Sequence, residues 1–111
     1  MFISKRCGCK TEKILSPINS KQLSKLSDDL SVISVKSRLE LLFLLQNKPH
    51  CVCDLIEHTG KSQSLISHHL SDLEMKGYIS KKRNGKFIDY LLTQKGSKVL
   101  KALELLVDIT I

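Results

Sequence analysis

From Ser20 onward Leu23, Leu26 and Leu30 recur at helical spacing, which predicts a first amphipathic helix with Ser20 as its N-cap. A second helix is predicted from about Val35 to Gln46. It turns Leu39, Leu42, Phe43 and Leu45 to the core and Lys36, Arg38 and Glu40 outward, and Asn47-Lys48-Pro49 stops it. A short helix from roughly Cys53 to Thr59, the pair Gly60-Lys61 and a longer helix from Ser62 to Lys76 follow. Ser62 suits the N-cap of the longer helix, and Gly77 suits the left-handed position that closes it. Helix, tight glycine turn and helix make a helix-turn-helix pattern. Beyond it, Tyr78–Arg83 and Lys86–Leu92 flank Asn84-Gly85, a strong hairpin signal because both residues tolerate positive φ. A last helix, about Gln94 to Asp108, carries Leu100, Leu103, Leu106 and Val107. The expected fold is mainly α with a small β-hairpin (α+β): a winged helix-turn-helix.

The 111 residues suffice for one compact domain, expected over 20–111, preceded by an arm over 1–19. Lys, Arg, Ser and Thr dominate the arm, with Gly8 and Pro17 as breakers, and no internal repeat is visible. Leu103, Leu105, Leu106, Val107, Ile109 and Ile111 crowd the C-terminus, more than one helix face can bury in so small a domain. A tail folded onto its own core is one reading. A homodimer formed through the terminal helices is preferred, because large apolar patches rarely stay exposed and two-fold dimers suit palindromic DNA half-sites.

A net charge of +7 points to an anionic partner, nucleic acid or an acidic membrane surface. Lys61, Lys76, Lys81, Lys82, Arg83 and Lys86 oppose only Asp72 and Glu74 between positions 61 and 86, so over half of that excess sits in one short stretch. A solvated lysine face would also explain such a run. The longest apolar run, Leu41–Leu45, is far below membrane-spanning length, and Met1–Arg6 is too short for a signal segment. The expected location is the cytoplasm, where thiols stay reduced and close cysteine pairs favour metal or redox chemistry over structural disulfides.

On Ser62–Lys76 the apolar stripe is Leu65/Ile66, Leu70 and Leu73, with His69 at its edge. Gln63, Ser64, Ser67, His68 and Ser71 occupy the opposite face, where small and amide side chains can approach base edges in a major groove. A hydrated helix face is the plainer alternative. The preceding turn and the basic hairpin favour double-stranded DNA as the partner, with Lys81, Lys82, Arg83 and Lys86 on phosphates. His69 is expected to pack against the core or make a structural hydrogen bond.

The only four cysteines form two Cys-x-Cys pairs, Cys7-Gly8-Cys9 and Cys51-Val52-Cys53. Positions i and i+2 do not share a helix face, so two thiolates at Cys51 and Cys53 can serve one ion only where the backbone is extended or just turning helical. Tetrahedral zinc or cadmium takes four ligands, and soft trivalent ions settle for about three. A joint site of Cys7, Cys9, Cys51 and Cys53 is therefore expected, with Lys5, Arg6 and Lys10 favouring thiolates on the arm. Small half-buried core thiols at 51 and 53, beside an unliganded arm, would be the alternative. His50 and His58 are spare donors, His58 better read as a solvent-exposed helix residue. No catalytic constellation or phosphate loop is present, so neither enzymatic activity nor a small-molecule substrate is expected.

These residues together resemble the ArsR/SmtB family of metal-responsive winged-helix repressors, over about Leu26 to Leu106. Cys51-Val52-Cys53-Asp54-Leu55 carries the resemblance most specifically, supported by Ser62-Gln63-x-x-Ile66-Ser67-x-His69-Leu70-x-x-Leu73. The resemblance implies a homodimer whose metal-free form binds an operator and blocks transcription, with metal binding causing release. Arsenite-sensing members often carry a third cysteine just beyond this motif; here that position is Ile56, so a purely local three-thiolate site cannot form. Cadmium- and lead-type members instead recruit cysteines from an N-terminal arm, usually the partner subunit's, a role that Cys7 and Cys9 match. Their spacing is tighter than that subgroup implies, which leaves the ion open among cadmium, lead, zinc, Cu(I) and As(III). The family's His/Asp zinc site on the last helix has no counterpart, since no histidine follows His69. Three other readings share these features: a disulfide or persulfide switch, a constitutive DNA binder with structural metal, and a metal-handling or interaction module without DNA activity.

Overall fold

The computed structural model describes residues 16–110, so Ile111 and all but the end of the expected arm, with Cys7 and Cys9, lie outside the described residues. The elements run α1 (Ser20–Ile33), α2 (Lys36–Asn47), β1 (His50–Cys51), α3 (Val52–Thr59), α4 (Gln63–Met75), β2 (Ile79–Asn84), β3 (Phe87–Leu92) and α5 (Gln94–Thr110). Five helices and a small antiparallel sheet ordered β1-β3-β2 make the expected winged helix-turn-helix.

The core gathers around α2. Leu41, Leu42 and Leu45 meet Leu55 of α3, Ile66, Leu70 and Leu73 of α4, Ile79 of β2 and Leu100 of α5, with Ile33 and Tyr78 closing the cluster. Each buried leucine contributes about 2 kcal/mol of transfer free energy. The chain enters α5 beside Tyr78 at very close range. A Cβ on Gly96 would lie 2.1 Å from the Tyr78 carbonyl oxygen, so only glycine lets this helix seat against the sheet.

Several local expectations change. The first helix is capped by Asn19, not Ser20: its side chain accepts from the Gln22 amide at 2.8 Å, while the Gln22 side chain accepts from the Asn19 amide at 3.0 Å. The Leu23, Leu26 and Leu30 stripe of α1 is not core; these residues stay 50%, 46% and 46% exposed. The wing turn is Gly85-Lys86, because Asn84 pairs with Phe87 in the ladder, and Gly85 alone takes positive φ, at 64°. Arg38, expected outside, turns inward with a side chain only 13% exposed. It shares its helix face with Leu41, Leu42 and Leu45, three, four and seven residues on, so the helical period already pointed it at the core. Strand β1 was not expected. It is two residues long, too short for any periodicity to register, and exists only through pairing with β3, His50 opposite Tyr90 and Cys51 opposite Asp89.

Candidate nucleic-acid interface and thiolate pair

The helix-turn-helix is closed by local hydrogen bonds. Gly60 ends α3 in the left-handed conformation at φ 70°, its amide donating to the Ile56 carbonyl at 2.8 Å. Ser62 caps α4 by accepting from the Leu65 amide at 3.2 Å. With Ile66, His69, Leu70 and Leu73 buried, Gln63, Ser64, Ser67, His68 and Ser71 are left exposed together on the other side of α4.

A cross-helix network fixes this helix from below. The Arg38 Nε donates to the His69 Nδ1 at 3.0 Å, its Nη1 to the Val32 carbonyl at 3.2 Å, and its Nη2 to the Asp72 carboxylate. Asp72 also faces the His68 Nε2 at 3.4 Å. Because His69 accepts from a guanidinium it must be neutral, with its proton on Nε2. Burial first, and the Arg38 charge second, hold its pKa below the ordinary histidine value. The expected structural hydrogen bond of His69 is thus present, through a partner that was expected in solvent.

The wing projects beyond α4 with Lys81, Lys82, Arg83 and Lys86 all exposed. Register sorts them. Lys82 pairs with Asp89 and Asn84 with Phe87 on one sheet face, while Lys81 and Arg83 lie on the other, opposite Tyr90 and Ile88. Lys81 is also 3.7 Å from Glu74 at the end of α4. Phe87 and Ile88 stand 56% and 43% exposed at the tip, which the basic pattern of this segment did not signal.

Cys51 and Cys53 sit where the spacing rule required. Cys51 ends β1 and is the extended N-cap of α3, at φ −82° and ψ 168°, and Cys53 lies in the first helical turn. Both are free thiols, Cys51 half-buried and Cys53 exposed. His50 is buried beside them. Its Nδ1 lies 3.3 Å from the Asp54 carboxylate, and this hydrogen bond is the main reason the Asp54 pKa falls below its ordinary value. The His58 ring meets His50 edge-on, centroids 6.0 Å apart, and is otherwise solvent-exposed as expected. The fit to a thiophilic ion is partial. Two soft donors open a helix, but among the described residues no three His, Cys, Asp or Glu side chains converge as a metal site. Further ligands must come from elsewhere, and Cys7 and Cys9 lie outside the described residues.

Among the described residues no helix is long and apolar enough to cross a membrane. The model of the bacterial regulatory protein, arsR family, matches residues 36–81, from the start of α2 into β2. The chain is 38% identical over 76 residues to the arsenical resistance operon repressor of Staphylococcus xylosus, an alignment covering 60% of this chain and 73% of that protein. NolR from Sinorhizobium fredii superposes with a TM-score of 0.73 at 29% identity, over 86% of this chain and 96% of that one. A homodimeric winged helix-turn-helix DNA-binding domain from Mycobacterium bovis, a possible ArsR-family regulator, shares the fold at TM-score 0.69 and 22% identity, over 87% of this chain and 90% of that one. The relatives named in these comparisons include transcriptional repressors and regulators, not enzymes. Fold, motif and sequence similarity converge, and the chain belongs to the ArsR family of winged-helix transcriptional repressors.

Proposed function

We propose that the protein is a metal-sensing repressor, a homodimer that binds operator DNA when metal-free and lets go when a thiophilic ion engages its cysteines. On this reading it works in the cytoplasm. Gln63, Ser64, Ser67, His68 and Ser71 face the major groove, and Lys81, Lys82, Arg83 and Lys86 meet phosphates, supplying affinity without sequence information. The apolar faces of α1 and α5 form the two-fold interface. Leu23, Leu26 and Leu30 stay about half-exposed on α1, and Leu105, Leu106, Val107 and Ile109 on α5 are 67%, 53%, 45% and 79% exposed. The Mycobacterium bovis domain of the same fold is a homodimer.

One observation carries the sensing half. Cys51 belongs to a strand hydrogen-bonded to wing strand β3 and at the same time caps the helix that leads into the turn before α4. A pull on Cys51 and Cys53 therefore loads both DNA-contacting elements. Cys51 and Cys53 would hold the ion together with Cys7 and Cys9 of the arm. A bound ion would supply a cross-link between arm and α3, and the chain's part is to convert that into a shift of α4 against the wing. Allosteric coupling of this kind is typically worth about 1–3 kcal/mol. Cadmium, lead and zinc suit four thiolates; Cu(I) and As(III) would use fewer.

The test is the double substitution Cys51→Ser with Cys53→Ser. A duplex selected by the wild-type protein from a random-sequence pool should bind both proteins alike without metal. Cd²⁺, Pb²⁺, Zn²⁺, Cu⁺ and arsenite are then titrated while fluorescence anisotropy follows release. Release by at least one ion is expected from the wild type and none from the variant; unchanged release in the variant removes the site.

A further inference from the structure

We propose that Arg38 and Asp72 are positioning residues for DNA reading: Arg38, anchored in the core, holds the Asp72 carboxylate, and Asp72 in turn orients the His68 imidazole on the exposed face of α4. This rests on the proposed role of that face in the major groove.

His68 is exposed, at 66% of its side chain, and would normally sample several rotamers before meeting a base. Its Nε2 lies 3.4 Å from the Asp72 carboxylate, one helical turn away. An i,i+4 pair on an open helix face holds its members only weakly, because both side chains lose entropy and water screens the attraction. This pair differs because Asp72 is not free to move. It is half-buried, and its carboxylate also takes the Nη2 of Arg38. Arg38 is immobilised by its other donors, Nε on His69 at 3.0 Å and Nη1 on the Val32 carbonyl of α1 at 3.2 Å. The planar guanidinium spends each edge on a different partner, which a lysine ammonium cannot reproduce.

Two consequences follow for binding. With the ring held 3.4 Å from the Asp72 carboxylate, fewer of its rotamers remain open before DNA is met. The entropy of placing His68 is then lost on folding rather than on binding, the general route by which preorganisation raises affinity. Arg38 also compensates the Asp72 charge. A lone carboxylate on a DNA-facing helix would repel phosphates, whereas a carboxylate paired to a buried guanidinium can stay there and orient its neighbour.

A double-mutant cycle on the full-length protein tests the relay: Asp72→Ala, His68→Ala and the pair, with thermal unfolding to verify that each folds. The readout is the ratio of affinities for the selected duplex and for an unrelated duplex of equal length and composition. Asp72→Ala and His68→Ala should each lower that ratio by about fivefold to tenfold, and Asp72→Ala should lower it no further once His68 is alanine. Asp72→Asn, which keeps an oxygen acceptor, should restore part of the ratio, and it carries the test if Asp72→Ala does not fold. Arg38→Lys should behave like Asp72→Ala at retained helicity. Additive losses, or a ratio unmoved by His68→Ala, overturn the inference while leaving DNA binding intact. A wild-type protein that prefers no duplex overturns both the inference and the groove-reading role of α4.

Discussion

Helix α4 and the terminal pair α1 and α5 are all amphipathic, yet they resolve their apolar faces in opposite ways. α4 buries Ile66, His69, Leu70 and Leu73 and presents a polar face to solvent. α1 buries only Ile33, and α5 leaves Leu105, Leu106, Val107 and Ile109 open over its last turns. A face that is polar, open and held from below by Arg38 suits a polar groove in DNA. A face that is apolar and open suits another protein surface, since water leaves such a patch whenever a complementary one is offered. The second of the two readings for the C-terminal cluster is therefore favoured. Leu103 packs against the core, but Leu105, Leu106, Val107 and Ile109 stay open, the kind of surface that a second copy would cover.

The largest effect expected from breaking this contrast is at the terminal helices. Leu26→Glu combined with Leu106→Glu should give a folded monomer by light scattering, and duplex affinity should drop by about hundredfold or more as bivalent engagement is lost. A dimer that survives both charges would move the interface elsewhere. At the wing, Lys82→Ala, Arg83→Ala and Lys86→Ala together should weaken selected and unrelated duplexes alike. The plot of log affinity against log salt should become less steep by about 0.9 for every phosphate that the variant no longer neutralises. Lys81→Ala should do less, because Glu74 already engages Lys81 in the free protein. An unchanged salt slope in the triple variant would assign phosphate binding to other residues.

The smallest expected effect concerns pH and sharpens the α4 side of the comparison. The folded pKa of His69 lies below the 6.5 of a free histidine, so the unfolded chain takes up its proton first as pH falls. The stability contributed by neutral His69 is complete above pH 6.5 and is lost as pH falls through that value and the lower folded pKa. His69→Gln, which keeps an acceptor for Arg38, should flatten this part of the curve in urea unfolding between pH 7 and 5. Parallel curves for the two proteins would show that Arg38 does not depend on a neutral ring at that position.

Much of this molecule was legible in its residue pattern, for reasons that are local. Ser62 and Gly77 bound α4 because a cap and a left-handed stop act through their immediate neighbours. The wing was visible in Asn84-Gly85 even though the turn shifted by one residue to Gly85-Lys86, since hairpin propensity marks the place more firmly than the register. The i,i+2 spacing of Cys51 and Cys53 requires an extended or barely helical backbone if both are to serve one ion, and the start of α3 provides it. The four-thiolate set goes beyond that and is the proposal that the metal titrations test.

Chain order and side-chain period thus sufficed for the elements, the fold class and the polar face of α4, because each depends on residues within a few positions of one another. Three features depended on other segments meeting: β1, which exists only by pairing with β3; the partners that satisfy the inward Arg38, namely Val32, His69 and Asp72; and the open leucines of α1, which look like core until the packing leaves them out. An isolated stretch of chain can state which side chains are apolar or charged. Whether one of them is buried, paired or left to a partner is set by which other surfaces compete for it, and only the assembled structure contains that competition.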